Sequence, residues 1–243
     1  MIKRRCAVTG LFILDGPVTM YRVAQSRPTR GPLNPLPRPD DPAIDRSTWN
    51  RFDTPGLTIY GADTRATAFT ESIAYKAPSA NDYAGLREIA QDQGIPFSEL
   101  LEELRMDGKI VDGLEHDWRL ERSIYTLNFP SLPWVDLAHP DTVVAIKASG
   151  IAKSDRMSLA DLTGDNRQLT TVIAQWIRSQ QLDDENYPAG IRYPSKFGLA
   201  DGDYCYAGFL NKPNKGAMQT SAGFTANDSD LLTAITRTGV AVA

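Results

Sequence analysis

Tyr187-Pro188-Ala189-Gly190-Ile191-Arg192-Tyr193-Pro194-Ser195 reads as a short β-strand entered through one proline and closed by another. Proline fixes φ and removes a backbone donor, so Pro194 ends the run and sets Ser195 on a turn. Two upstream segments give this serine its context. Met20-Tyr21-Arg22-Val23 places an arginine inside an apolar, strand-like run over 18–24. Leu57-Thr58-Ile59-Tyr60-Gly61-Ala62 is a second strand, and the helix-like segment behind it carries Glu71. Strands and helices follow one another without strict alternation, which is the pattern of an α+β fold.

Outward from these segments, residues 26–55 carry Pro28, Pro32, Pro35, Pro37, Pro39 and Pro42. Such a run cannot form regular structure, and a loop this long inside a compact domain is commonly functional. It closes on Trp49-Asn50-Arg51-Phe52, and Pro55-Gly56 turns it into the 57–62 strand. Asp63 or Thr64 is placed to cap a helix running to about residue 75, with Ala68, Phe69 and Ile73 on its sheet-facing side and Glu71 near that side. Helical pieces are expected at 86–93 and 96–106, the second opened by Pro96. The 82–121 window holds eleven acidic and four basic residues, which reads as a solvated face on an acidic helical insertion at about 78–121. Further strands are expected at 122–129, 134–137, 190–193, 204–210 and 240–242, and helices at 141–148 and 231–236. The clearest amphipathic helix lies at 166–182, with Leu169, Val172, Ile173, Trp176 and Ile177 on one stripe.

The bulk numbers exclude several classes. A chain of 243 residues buries a sizeable core. A net charge of −4 and a pI near 5.3 argue against a dedicated nucleic-acid binder. Cys6 and Cys205 give no disulfide framework and suggest a reducing compartment, the cytoplasm. His116 and His139 sit in no metal-ligand spacing. No Gly-x-Ser-x-Gly announces a serine hydrolase, and no Gly-x-Gly-x-x-Gly follows a strand to bind a dinucleotide as hydride carrier. The apolar run after Met1-Ile2-Lys3-Arg4-Arg5 is cut short by Asp15 and Gly16 with no cleavage pattern behind it, so it is expected to pack in the fold. No stretch is long enough to span a membrane.

Each candidate residue has an ordinary reading as well as a chemical one. Arg22 would ordinarily sit at a sheet edge with its guanidinium in water; as a site residue it would clamp an anion through a planar fork. Arg51 would be a solvated loop arginine or share that duty. Tyr60 would be a rim aromatic or a flat wall for a planar heterocycle. Glu71 would face solvent, or it would stabilise positive charge growing at an anomeric carbon and accept a ribose hydroxyl. Ser195 would be a turn serine, or would orient the glutamate or a ribose; no neighbouring base makes it a nucleophile.

The Tyr-Arg-Val segment, Leu-x-Ile-Tyr-Gly-Ala with Ala-Thr-Ala-Phe-Thr-Glu behind it, and Gly-Ile-Arg-Tyr-Pro-Ser together resemble the RES domain family. The resemblance runs from about residue 18 to 242. It implies one RES-like domain over 1–243, with mixed, largely antiparallel sheets and flanking helices similar to the ADP-ribosyltransferase toxin fold. Arg22, Glu71 and Ser195 match the three residues that name the family, and Arg51 and Tyr60 match accessory pocket positions. The activity implied is cleavage of the nicotinamide–ribose bond of NAD by water or phosphate, in a toxin paired with an Xre-type antitoxin, with NAD as substrate and no cofactor. The acidic insertion is larger than in the smallest family members. The alternatives are an ADP-ribosyltransferase acting on a protein or small molecule, and a relative that binds NAD or a partner without catalysis.

Overall fold

The computed structural model describes residues 1–26, 35–41, 43–76, 80–107, 113–114, 118–151, 157–198, 202–210 and 219–242. Along the chain run β1 (Ile2–Arg5), β2 (Phe12–Gln25), β3 (Leu57–Ala62), α1 (Arg65–Ile73) with a 3-10 turn at Ala74–Lys76, α2 (Ala80–Gln93) and α3 (Phe97–Met106). Then follow β4 (Gly113–Leu114), β5 (Arg122–Asp136), α4 (Pro140–Ala148), α5 (Leu159–Thr163), α6 (Arg167–Ser179), β6 (Gly190–Pro194), β7 (Tyr204–Leu210), β8 (Gln219–Ala222), α7 (Ser229–Thr238) and β9 (Ala241–Val242). Residues 27–34 of the proline-rich loop, Pro42 and His116 lie outside the described residues.

Seven strands form one sheet in the order β1-β2-β3-β7-β6-β5-β8, and β2 also pairs with β5. That extra pairing closes β2, β3, β7, β6 and β5 into a ring. Every pairing in it is antiparallel except the short parallel contact between β5 and β6. The longest seam joins β2 to β5, from Ile13 opposite Val135 to Gln25 opposite Arg122. The fold is therefore mixed helix and strand around a largely antiparallel sheet.

One strand expectation needs correction. Residues 122–129 and 134–137 read as two strands because Pro130 and Pro133 interrupt the sequence, yet β5 runs through both prolines. The register of the β2–β5 seam shifts between Gly16 and Val18, so Pro17 on one strand faces Pro130 and Ser131 on the other. The bulge leaves Pro17 and Pro130 outside the ladder, so the donors they lack are not needed there; Pro133 keeps its place in the ladder opposite Asp15. Four elements have no counterpart in the sequence reading: β1, β4, α5 and β8. The helix expected at 166–182 ends at Ser179, with Gln180 in an extended conformation.

Alternate side chains of each strand feed opposite faces of the sheet. Ile13, Ile191 and Ala207 pack with Ile146 of α4 and Ile173 and Ile177 of α6 in one buried cluster. Their neighbours Leu14 and Tyr206 join Met20, Ile59, Leu127 and Trp134 in a second. A third cluster joins Phe69 and Ile73 of α1 to Leu231 and Ala234 of α7. Thr64 caps α1 by accepting from the Thr67 amide, and His139 caps α4 from a ring stacked on Phe12 at 3.5 Å. Among the described residues no helix is long and apolar enough to cross a membrane.

Gly190 lies where β6 meets the large ring of Trp134. A Cβ there would run into the Ala207 carbonyl, the Trp134 ring at 2.5 Å and Gly208 Cα at 2.9 Å. Two of those three are backbone atoms that cannot swing aside. Gly190→Ala is expected to lower the unfolding free energy by roughly 3 kcal/mol, read as a shift of the urea midpoint; a midpoint within error of the parent would contradict this packing.

Candidate active site

The β2–β3 pairing is confined to Tyr21 opposite Ala62. On either side of that pair the two strands part, and a cleft of about 530 Å³ opens there. Its walls are the C-terminal half of β2, the end of β3, the inner side of α1, the end of the proline-rich loop, and the turn after β6. Arg22, Arg51, Tyr60 and Glu71 all line it. Ser195 stands behind Glu71, 9% exposed.

Arg22 is not the edge residue that its ordinary reading makes it. Its strand is paired on both sides, with β3 at Tyr21 and with β5 throughout. Its Nη1 donates to the Tyr60 carbonyl at 2.9 Å. That carbonyl belongs to β3 where β2 has turned away, so the guanidinium supplies the donor that a continuing ladder would have supplied. Nε of Arg22 is shielded from solvent and has no partner. Burial pushes the guanidinium below its ordinary range, with a small opposing pull from Tyr60; from so high a starting value it stays charged.

Arg51 also holds a shielded Nε without a partner. Its guanidinium lies 5.8 Å from the rings of Phe52 and Tyr193. The loop is locked behind it by Asp53, a carboxylate 3% exposed. Asp53 accepts from Arg38 Nε at 2.7 Å, from the Asn50 amide at 3.0 Å and from the Tyr60 hydroxyl at 2.9 Å. The Tyr60 hydroxyl in turn accepts from the Phe52 amide at 3.0 Å. Tyr60 thus ties the loop end to β3 with its hydroxyl while its side chain lines the cleft. Proline content keeps this loop irregular; a buried carboxylate gives its end a single conformation.

Glu71 and Ser195 are joined directly. Ser195 Oγ donates to Glu71 Oε1 at 2.6 Å and accepts from the Phe197 amide at 3.2 Å. The Ser195 amide donates to the Asp203 carbonyl at 2.9 Å. Asp203 Oδ1 accepts from Thr67 Oγ1 at 2.8 Å, and Arg237 of α7 lies 3.2 Å from its Oδ2. Thr67 is one helical turn before Glu71 on α1. The contacts therefore close a circuit from Glu71 to Ser195, Asp203, Thr67 and back along the helix, which fixes the carboxylate from two sides.

The cleft also holds residues that sequence reasoning missed: Tyr21, Tyr75, Asp165, Arg167, Tyr193, Lys196 and Cys205. Tyr193 and Cys205 sit on facing positions of β6 and β7. Burial, then the Glu71 charge, pushes the Cys205 thiol well above its ordinary range. Burial also pushes up the Tyr193 phenol, helped by Cys205 and Glu71 and opposed by Arg51 and Arg167. Cys205 is thus a protonated thiol at neutral pH and not a nucleophile. Tyr193 carries a signal of its own, since period-2 alternation through the quoted 187–195 stretch puts it on the face of Ile191.

The family model described as RES domain matches residues 19–225. No curated protein matches the chain. Among solved structures, it is similar to a chain of the crystal structure of the M. tuberculosis MbcT-MbcA toxin-antitoxin complex, at 16% identity over 93% of this chain and 91% of that chain, with a TM-score of 0.43.

The raised phenols and thiol set an alkaline limit. Cys205, Tyr193 and Tyr60 are all shifted up by burial. Between pH of about 8.5 and 10 the unfolded chain releases protons from these groups while the folded chain retains them. The folded state then binds more protons, so stability falls as pH rises through that window. Thermal unfolding from pH 7.5 to 10.5 is expected to show a declining Tm, with a shallower decline in Tyr193→Phe; identical slopes in the two proteins would contradict the buried phenol.

Proposed function

The chain belongs to the RES domain family, whose match covers most of its length, and from that membership and the cleft we propose that it cleaves the nicotinamide–ribose bond of NAD. The observation that carries the reading is the 2.6 Å hydrogen bond by which Ser195 holds Glu71, in a cleft where the shielded Nε of Arg22 and that of Arg51 have no hydrogen-bond partner among the described residues. We read the whole chain as one RES-like domain of ADP-ribosyltransferase type with an acidic helical insertion at about 78–121. It acts in the cytoplasm as the toxin of a toxin–antitoxin pair, with an Xre-type antitoxin as its partner.

The chemistry asks little of a general acid. The nicotinamide ring of NAD is cationic and leaves as a neutral molecule with the bonding pair. Positive charge then grows at the anomeric carbon and ring oxygen of the ribose. Glu71 supplies the fixed negative charge that stabilises it, in a site where both donors and acceptors are held before the reaction. The guanidinium groups of Arg22 and Arg51 hold the diphosphate, and Tyr60 and Tyr21 present rings to the planar parts. Water adding at the anomeric carbon gives ADP-ribose and releases a proton; phosphate adding there gives ADP-ribose-1″-phosphate. NAD is consumed in either case, and no cofactor is required.

Glu71→Gln keeps the shape and the Ser195 contact but removes the charge, so nicotinamide release is expected to fall about a thousandfold. Ser195→Ala frees the carboxylate and should reduce kcat about tenfold to a hundredfold, the value of one hydrogen bond to a charged group. Chromatography of NAD reactions run with and without phosphate checks both. Release only with phosphate identifies phosphorolysis, and release without it identifies hydrolysis. No release by the folded wild type under either condition would overturn the proposal. Expression in a bacterial host is expected to deplete NAD and arrest growth, with Glu71→Gln growing normally; normal growth with abundant wild-type protein would remove the toxin role.

A further inference from the structure

At the mouth of the cleft, three separate elements deliver a cation to one carboxylate. Asp165 lies two residues before the start of α6, Arg167 opens that helix, Lys196 follows Ser195, and Arg51 ends the proline-rich loop. All four line the cleft. Lys196 Nζ is 2.6 Å from Asp165 Oδ2, and Arg167 Nη2 is 3.4 Å from Oδ1. The Asp165 carboxyl is held below its ordinary range by the Lys196 hydrogen bond, and also by the charges of Arg167 and Arg51.

The ordinary reading is a surface ion pair, and its energy is small. Asp165 is 64% exposed on its side chain, and such pairs contribute about 0–1 kcal/mol. That weakness makes the carboxylate easy to displace. Three cations facing one anion also leave the mouth with an excess of positive charge, and Arg51 makes no hydrogen bond to Asp165 to use it. A carboxylate offers two oxygens and one negative charge. Free phosphate offers four oxygens, and the diphosphate of a dinucleotide offers four non-bridging oxygens with two charges, so either suits three converging donors better.

We propose that Arg51, Arg167 and Lys196 form an anion subsite at the cleft mouth, in which the Asp165 carboxylate occupies the place of a phosphate oxyanion and is displaced when that group binds. The oxyanion has two sources, the diphosphate of the dinucleotide or free inorganic phosphate. Its part in the reaction rests on the NAD-cleaving function proposed above; its existence does not. Asp165 then acts as an internal competitor that sets how much anion is needed to fill the site.

The test is calorimetric titration of the folded protein with inorganic pyrophosphate, in the parent and in three variants. Asp165→Asn is expected to tighten binding about fivefold to tenfold and Lys196→Ala to loosen it by a similar factor. Asp141→Asn changes net charge equally but touches a residue that does not line the cleft, and it should stay within about twofold of the parent. An Asp165→Asn value equal to that of the parent or of Asp141→Asn overturns the subsite. Kinetics separate the sources. A fall in the KM for NAD without phosphate assigns the subsite to the diphosphate, and a fall only in the phosphate requirement assigns it to free phosphate. Pyrophosphate binding that tightens as expected in a protein that releases no nicotinamide would sustain the subsite and overturn the NAD reading alone.

Discussion

The seam between β2 and β5 is the constraint on which the rest of the structure depends. It runs nearly the whole length of two long strands and turns an open sheet into a ring. Once β2 is committed to β5 on one side, it can meet β3 on the other only briefly, at Tyr21 opposite Ala62. Right-handed twist carries neighbouring strands apart unless a ladder holds them. The cleft is the space that this partial pairing leaves. Arg22 stands one residue past the contact and spends one donor on the last β3 carbonyl that lost its ladder partner. The residue that stabilises the split is therefore also the residue that charges the cleft.

That arrangement has an energetic cost. The Nε donors of Arg22 and Arg51 are shielded and unsatisfied, and each such group costs about 1–3 kcal/mol. Arg46 carries the same burden at Nη1, but it lies against Trp49 at 4.9 Å and bonds Gln175, fastening the loop to α6. The difference lies in where the groups point. Arg46 belongs to packing, while Arg22 and Arg51 line a cavity whose fixed anion is Glu71, held by Ser195. Unpaired donors beside an oriented carboxylate suit a ligand that is anionic at one end and becomes cationic at the other.

Much of this was legible in the sequence because it is local. Strands announced by β-branched and aromatic runs, the Thr64 cap and the stripe of α6 depend on neighbours a few residues away. The three site segments could be read because each is a strand, a helix or the turn after a strand carrying an unexpected polar residue. Asp165, Arg167, Lys196 and Cys205 could not be read in that way. They are ordinary in their own segments and acquire meaning only when β6, β7 and α6 are brought to one cleft. Asp53 was hidden for the same reason, as one acid in a loop crowded with charges, until burial made it the anchor of Tyr60 and Arg38. The prolines of β5 misled because a bulge in β5, visible only once the strand is paired with β2, takes Pro130 out of the ladder.

The placement of Glu71 shows how the long-range and local parts combine. A glutamate in the middle of a helix has several rotamers, and a single hydrogen bond would select among them only weakly. Here the serine that selects the rotamer hangs from the Asp203 carbonyl, and the Asp203 side chain is fastened to Thr67 on the same helix as the glutamate. Any drift of the 195–198 turn away from α1 must break the Ser195–Glu71 contact and, with it, either the Ser195–Asp203 or the Thr67–Asp203 bond. The two hydrogen bonds span one turn of one rigid element, so they fix the position of the turn as well as its distance. A carboxylate held this way needs no reorganisation when positive charge develops beside it, which is the condition under which an electrostatic contribution to catalysis is largest.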